Sequence, residues 1–370
     1  MKILIAPDKY KDSLSAIQVC NALKKGIIKN FNEKDIIFCP MADGGDGSLV
    51  TLNYYLDLKP ISLIVNDPLF RPVKSTYYLN NKTAYIELSS ASGLVLLKEE
   101  DRNCMLTSSF GTGELICDAL DKGVTNINLF IGGSATNDGG IGIASALGYK
   151  FYDTSENLLS PIGKNLLLIN RIDSSEVKFN FNDITVKVIC DVNNPLYGKS
   201  GAAYVYASQK GANSSQIQQL DKGLVNLESK LLQHNFPSIA DIPGSGAAGG
   251  VGGGSIIFLK AKLISGIEIF LKISQLEKLI RECDLIITGE GRLDSQTQYG
   301  KVISGVCNLA KKFNKSIIAV CGDVDKDNYN ILGLKKVYRI LDKTNSKDDA
   351  IINAEKYLAE IGEEISGNIK

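Results

Sequence analysis

An α/β fold of two domains, one a doubly wound sheet assembled from both ends of the chain, is what this sequence predicts. Three observations carry that prediction. Continuous apolar runs, each ending in a polar loop that opens a helix, occur at both ends of the chain, the pattern of strands covered on both faces. Between them, residues 59–90 break into short runs separated by turn residues, the mark of antiparallel strands. The 370 residues also exceed what one core ordinarily organises. We place residues 1–85 and 283–370 in a discontinuous domain and 86–282 in an inserted α/β domain.

The elements follow in order. Lys2–Ala6 reads as a buried strand ending at Pro7-Asp8-Lys9-Tyr10-Lys11-Asp12-Ser13. Ser13 or Asp12 is positioned to cap a helix that turns Leu14, Ile17, Cys20, Leu23 and Ile27 inward. Asp35–Pro40 is a second strand, ending at Asp43-Gly44-Gly45-Asp46-Gly47-Ser48 and another helix. Ile61–Asn66, Val73–Leu79 and Thr83–Leu88 form a meander, with Asp67-Pro68 and Asn80-Asn81 as turns. A helix covers Gly113–Lys122, and Asn128–Ile131 is a strand leading into a glycine-rich loop. Ile184–Cys190 is a strand, and Ile217, Leu220, Leu224, Leu227 and Leu231 form a helical stripe capped by Ser214. Residues 241–254 read as a glycine-rich loop. Strand–helix alternation resumes with Asp284–Thr288, a helix through Val302–Lys311, then strands at Ser316–Val320 and Lys336–Leu341. A closing helix starts near Ser346, with Asp349 three residues on.

Composition narrows the chemistry. Lys+Arg and Asp+Glu both number 41, a balance that favours neither nucleic acid nor an anionic membrane as partner. No apolar run approaches the ~20 residues of a membrane span, and the opening M-K-I-L-I-A-P-D has no signal-peptide core. Eight scattered cysteines without a C-x-x-C pair read as reduced thiols of a cytoplasmic protein. The single histidine, His234, ends an amphipathic helix, where a helix C-terminal cation is the ordinary role. Histidine-based triads, bases and zinc sites are therefore set aside. Acid–base work falls to Asp, Glu, Lys or Tyr, and any metal is hard and oxygen-ligated, Mg²⁺ by default.

The stretch Leu129–Gly148 organises the chain. Gly132 and Gly133 let backbone N–H groups approach a ligand, Ser134, Thr136 and Asn137 add polar tips, and Asp138 adds a carboxylate. Together they form an anion-binding corner. A tight strand-to-helix turn needs such glycines too, but comparable loops recur along the chain and weigh for a ligand. Two phosphate motifs nearly match. Gly198-Lys199-Ser200 lacks the first P-loop glycine, Asn193 standing there. Gly244, Gly246 and Gly249 satisfy G-x-G-x-x-G without a convincing preceding strand or a later ribose-binding acid. That run suits a loop facing a phosphate or two closely packed backbones. Asp8, Asp43, Asp46, Asp138, Asp191, Glu290 and Asp294 each follow a strand or sit in a glycine-rich turn. Singly they read as turn residues. Together, with Lys9, Lys11, Lys199, Arg292 and Lys301, they supply what phosphoryl transfer to an alcohol needs: metal ligands, a base and cations on the phosphates.

The motifs at 6–16 (A-P-D-K-Y-K-D-S-L-S-A), 41–48 (M-A-D-G-G-D-G-S), 131–142 (I-G-G-S-A-T-N-D-G-G-I-G), 190–198 (C-D-V-N-N-P-L-Y-G), 243–250 (P-G-S-G-A-A-G-G) and 288–297 (T-G-E-G-R-L-D-S-Q-T) resemble the bacterial glycerate kinase type I family over essentially the whole chain. The resemblance implies ATP-dependent phosphorylation of D-glycerate with Mg²⁺, 2-phosphoglycerate being the favoured product. It implies a flavodoxin-like domain from both termini, an inserted α/β domain with a mixed sheet, and an active site in the cleft between them. Chemistry and motif position then assign roles. Asp8, Lys9, Lys11 and Ser13 line the site, Lys9 as a catalytic cation. Asp43 and Asp46 hold Mg²⁺ or the glycerate hydroxyls. Gly132, Gly133, Ser134 and Thr136, with Asn137, cradle phosphates, as do Gly244, Gly246 and Gly249, and Asp138 ligates the metal. Asp191 is the base, with Asp294 second, and Arg292 pairs with the substrate carboxylate. The rivals are an NAD-dependent hydroxyacid dehydrogenase, resting on residues 244–249, and a non-catalytic sensor of glycerate or nucleotide. No heptad or apolar stripe singles out an oligomer interface.

Overall fold

The computed structural model describes residues 1–45, 47–293, 301–325 and 332–369. Its strands, in chain order, are β1 (Ile3–Pro7), β2 (Ile36–Phe38), β3 (Lys59–Asn66), β4 (Pro72–Asn80), β5 (Thr83–Glu87), β6 (Asn126–Phe130), β7 (Lys150–Tyr152), β8 (Arg171–Asp173), β9 (Thr185–Ile189), β10 (Lys262–Ile264), β11 (Leu285–Leu293), β12 (Ser316–Val324) and β13 (Lys336–Arg339). They fall into two compact units, Met1–Leu56 with Ser265–Lys370, and Asp57–Ile264. The junctions lie earlier than 85/86 and 282/283. The meander β3–β4–β5 hydrogen-bonds onward to β6 and so joins the second unit, whereas the helices Gly266–Ile273 and Leu276–Glu282 belong to the first.

The first unit is a parallel sheet in the order β2-β1-β11-β12-β13. Numbered by succession within this unit, that is 2-1-3-4-5, the flavodoxin-like order, whose winding reverses between its first and third strands. Ile3 and Ile5 of β1, Ile287 of β11 and Val320 of β12 pack with Leu23 of the helix Ala16–Ile27 and Leu358 and Ile361 of the helix Ala354–Asn368. The first helix starts later than expected. Asp12 adopts a positive φ of 61° in a tight turn closed by Tyr10 N–H on the Leu14 carbonyl at 2.8 Å. The cap therefore passes to Ser15, in a reciprocal capping box with Gln18. Ser346 caps Lys347–Ile352 as expected, accepting from the Asp349 N–H at 3.3 Å.

The second unit is a mixed sheet in the order β10-β9-β6-β5-β4-β3, parallel from β10 to β5 and antiparallel from β5 to β3. The helical stripe forms as read, over Ser214–Gln233, with Leu220, Leu224, Leu227 and Leu231 buried, but its capping box uses Asn213 and Gln216. His234 sits at that helix's C-cap, and its Nε2 accepts the Ile172 N–H at 3.4 Å. Residues 247–258 are helical rather than loop, with a kink at Ala248–Gly250 where φ turns positive. Among the described residues no helix is long and apolar enough to cross a membrane.

Candidate active site

In a doubly wound sheet the carboxyl ends of the strands at the winding reversal form a natural ligand crevice. Here those strands are β1 and β11, and their ends meet: the Asp8 N–H donates to the Gly289 carbonyl at 2.8 Å. The loop after β1, the turn at Asp43 after β2 and the ends of β11 and β12 line a cavity of about 580 Å³. Its charged side carries Asp8, Asp43 and Glu290 together with Lys9, Lys11 and Lys301. Ile340, Leu341, Ala350 and Ile351 add apolar lining, with Lys347 among them. Tyr10 braces the floor, its hydroxyl donating to the Val320 carbonyl at 2.6 Å.

Asp8 is 6% exposed and Glu290 5%. Burial, then the charge of Asp43, then that of Glu290, push the Asp8 carboxyl well above the usual range, although Lys9 N–H donates to it at 2.6 Å. β11 runs further than the sequence suggested, pairing Glu290 with Cys321 and Arg292 with Asp323. The strand therefore delivers Glu290 to the cavity beside Asp8, with Lys301 Nζ at 3.9 Å. Arg292 also lines the cavity, and its fork meets Asp325 Oδ1 at 3.2 Å. Ser13 Oγ donates to the Ile351 carbonyl at 2.7 Å, and Asp43 Oδ1 accepts the Gly45 N–H at 2.9 Å. Asp46 and Asp294 lie outside the described residues.

In the second unit, three of the quoted motifs converge at the carboxyl ends of β6 and β9. The loop Ile131–Gly140 has an exposed lip, Gly132–Gly133, and a buried floor of Ser134, Thr136, Asn137 and Asp138. Gly133 takes a φ of 71°, which glycine adopts without a Cβ penalty. Asp138 is fully buried. Its Oδ2 accepts from Ser109 N at 2.7 Å, Ser109 Oγ at 2.8 Å and Gly142 N at 3.2 Å, and its Oδ1 from Gly140 N at 3.1 Å. Burial raises its pKa and these four donors lower it, the net shift being upward. Three of the four donors converge on Oδ2 and one reaches Oδ1, so Asp138 ties the loop together from inside.

The glycine run packs against this loop. A Cβ on Gly249 would collide with the Thr136 carbonyl, and one on Gly246 with the Pro195 carbonyl. Gly139 N–H donates to Gly249 O at 3.0 Å, and Gly246 N–H to Asn194 O at 3.0 Å. Gly244, at φ 87°, sits against the Val192 carbonyl. Close backbone packing, one of the two accounts of these glycines, is present here, and it ties the Asp191 loop to the 131–140 loop. Asp191 itself is half-buried after β9.

One residue was missed. Lys210, 3% exposed, donates from Nζ to Ser134 Oγ and to the Thr136 carbonyl, both at 2.7 Å. Burial pulls its pKa down to about 8. It stands in S-Q-K-G with no motif around it, so nothing in its local sequence announces that it reaches a loop more than 70 residues earlier.

Carboxylates at the winding reversal of a flavodoxin-like sheet and a glycine loop backed by a buried cation define a small-molecule phosphotransferase class. A family model described as the glycerate kinase family matches residues 3–370. The glycerate 2-kinase of Escherichia coli strain K12 is 41% identical over 359 residues, spanning 96% of this chain and 94% of that protein. The glycerate kinase of Halalkalibacterium halodurans is 39% identical over 368 residues, spanning 98% and 97%. A crystal structure from Salmonella typhimurium LT2, described as a candidate glycerate kinase 2, aligns with a TM-score of 0.87 at 37% identity, covering 100% of this chain and 98% of that one. The chain belongs to the glycerate kinase family.

Proposed function

We propose that this enzyme is a type I glycerate kinase of the cytoplasm that transfers a phosphoryl group from ATP to a hydroxyl of D-glycerate, favouring 2-phosphoglycerate. The observation that carries the reading is the cavity at the winding reversal, where the buried Asp8 and Glu290 and the adjacent Asp43 share one lining with Lys9, Lys11 and Lys301; burial and the neighbouring carboxylates raise the Asp8 pKa. A carboxylate held nearer the working pH is the base an alcohol acceptor requires. We therefore move the base role to Asp8. Asp191 and Asp294, the expectation from motif position, are tested separately by substitution. Lys9, Lys11 and Arg292 bind anionic oxygens of the substrate, and Gly132, Gly133, Ser134, Thr136 and Asn137 form the phosphate loop. Gly244, Gly246 and Gly249 serve that loop as its backing.

Mg²⁺ suits the oxygen donors of the first cavity. Among the described residues no three acidic, histidine or cysteine side chains cluster tightly enough to hold an ion alone. That agrees with a cation held by one or two carboxylates plus nucleotide phosphates. Asp43 is the residue to hold it. Bound there, the ion would neutralise charge on the transferring phosphoryl group.

The test is phosphorus NMR of enzyme with ATP, Mg²⁺ and D-glycerate. A phosphoglycerate resonance appearing with ADP supports the reading and reports which hydroxyl was modified. ATP left intact overturns it. Change in NADH absorbance on the same substrate would favour the dehydrogenase, whose motif is otherwise accounted for by packing.

A further inference from the structure

Lys210 is a buried ammonium whose recorded hydrogen bonds go to two neutral oxygens, Ser134 Oγ and the Thr136 carbonyl. Among the described residues no carboxylate lies within ion-pair distance of it. Asp138 and Cys104 act on it only at longer range, and Asp138 is already engaged by four donors. A buried cation without a counter-ion is unfavourable by itself and is characteristic of sites that meet an anion.

The loop it touches has the complementary pattern. A serine hydroxyl has one proton. With Lys210 donating to its oxygen, the Ser134 proton must go to another acceptor, and no described residue takes it. No acceptor among the described residues takes the backbone N–H groups of Gly132, Gly133 or Ser134 either. Farther in, Thr136 Oγ1 and both polar atoms of the Asn137 side chain are buried with no hydrogen-bond partner among the described residues. Donors and charge thus accumulate on one short loop, whose lip is exposed.

We propose that Lys210 is a positioning residue for the phosphate tail of the nucleotide. It fixes Ser134 Oγ as its acceptor, so that the serine O–H joins the Gly132–Ser134 N–H groups as donors to a phosphate oxyanion, and its charge compensates that anion from behind. Successive N–H groups of this kind make an anion-binding concavity. The inference deepens the proposed kinase reading and rests on it for the identity of the anion.

The experiment compares wild type, Lys210→Met, Lys210→Arg, Ser134→Ala and the Lys210→Met/Ser134→Ala double variant. Steady-state kinetics with ATP and D-glycerate are paired with calorimetric binding of a non-hydrolysable ATP analogue. We expect Lys210→Met to raise the KM for ATP and weaken analogue binding by about tenfold or more, the effect of one charged hydrogen-bond donor. The KM for D-glycerate should stay within about twofold. Lys210→Arg should recover part of the loss. The double variant should be no worse than Lys210→Met, because the two residues act through one contact. Lys210→Met with wild-type melting, wild-type KM for ATP and undiminished analogue binding overturns the inference. So does an equal loss of both substrates, which a merely structural tie would give. If Lys210→Met does not fold, Ser134→Ala decides: unchanged analogue affinity overturns the proposal and weakened affinity supports it. A wild type inert on D-glycerate sinks the proposed reaction, while analogue binding still judges Lys210.

Discussion

Asp8 couples stability to chemistry in opposite directions. Its carboxyl has a pKa raised in the folded protein by burial, Asp43 and Glu290, above the unfolded value of about 3.9. The folded state therefore holds the proton to higher pH than the unfolded one. The penalty is absent below the unfolded pKa, where both states are protonated, grows as pH rises, and is complete above the folded pKa. Asp8→Asn keeps an oxygen to accept the Lys9 N–H and removes the charge. At pH 7 it should raise the melting temperature of the ligand-free protein, with the gain fading near pH 4, and it should lower kcat by about 10²-fold or more. Scanning calorimetry at the two pH values and a coupled ADP assay check both. Asp191→Asn, by contrast, is expected to keep kcat within about tenfold if Asp8 is the base; a loss of about 10³-fold would return the role to Asp191. Asp8 was legible as a residue lining the site because it stands among Lys9, Lys11 and Asp12 at the end of an apolar strand, whereas its burial beside Asp43 and Glu290 was not. Lys210 was not, because its partners Ser134 and Thr136 are distant in sequence.

At the scale of the element, the glycine run shows how one composition serves two structures. Residues 241–254 read as loop because glycine weakens helices. The chain nevertheless forms a kinked helix over Ala247–Phe258, since small residues let its backbone lie against Gly139, Thr136 and Pro195. Gly249 has both a φ of 70° and no room for a methyl group. Gly249→Ala should lower stability by about 2–4 kcal/mol, measured as a reduced urea midpoint. The Ser15 capping box invites a milder change: Ser15→Ala should cost about 1 kcal/mol without altering the KM for either substrate. Helix starts were the least legible elements. Ser13 and Ser15 are chemically equivalent caps, and only the turn at Asp12 selects between them.

At the scale of the whole molecule, eight cysteines are free, and Cys117 and Cys190 are the half-buried ones. Burial pushes the pKa of both up to about 11, so their thiolates are scarce at neutral pH. A thiol reagent at pH 7.5 should modify those two slowly and the other six only on unfolding in urea. Rapid reaction of more than two thiols in the native protein would contradict the packing described here. Reductant should leave the melting temperature unchanged.

Local pattern by itself placed β1, β2, β6, β9, β12 and β13 close to where they form and put both chain ends in one α/β sheet, while the short parallel strand β10 and the far end of β11 escaped it. Those conclusions follow from apolar periodicity and composition, which act over a few residues at a time. Only the tertiary structure decided that the meander belongs to the second unit, that Glu290 stands beside Asp8, that Asp138 ties its loop together from inside, and that Lys210 lies behind Ser134. Each of these depends on which strands pair and which backbones pack, a choice made by the burial of whole faces and not written in any single segment.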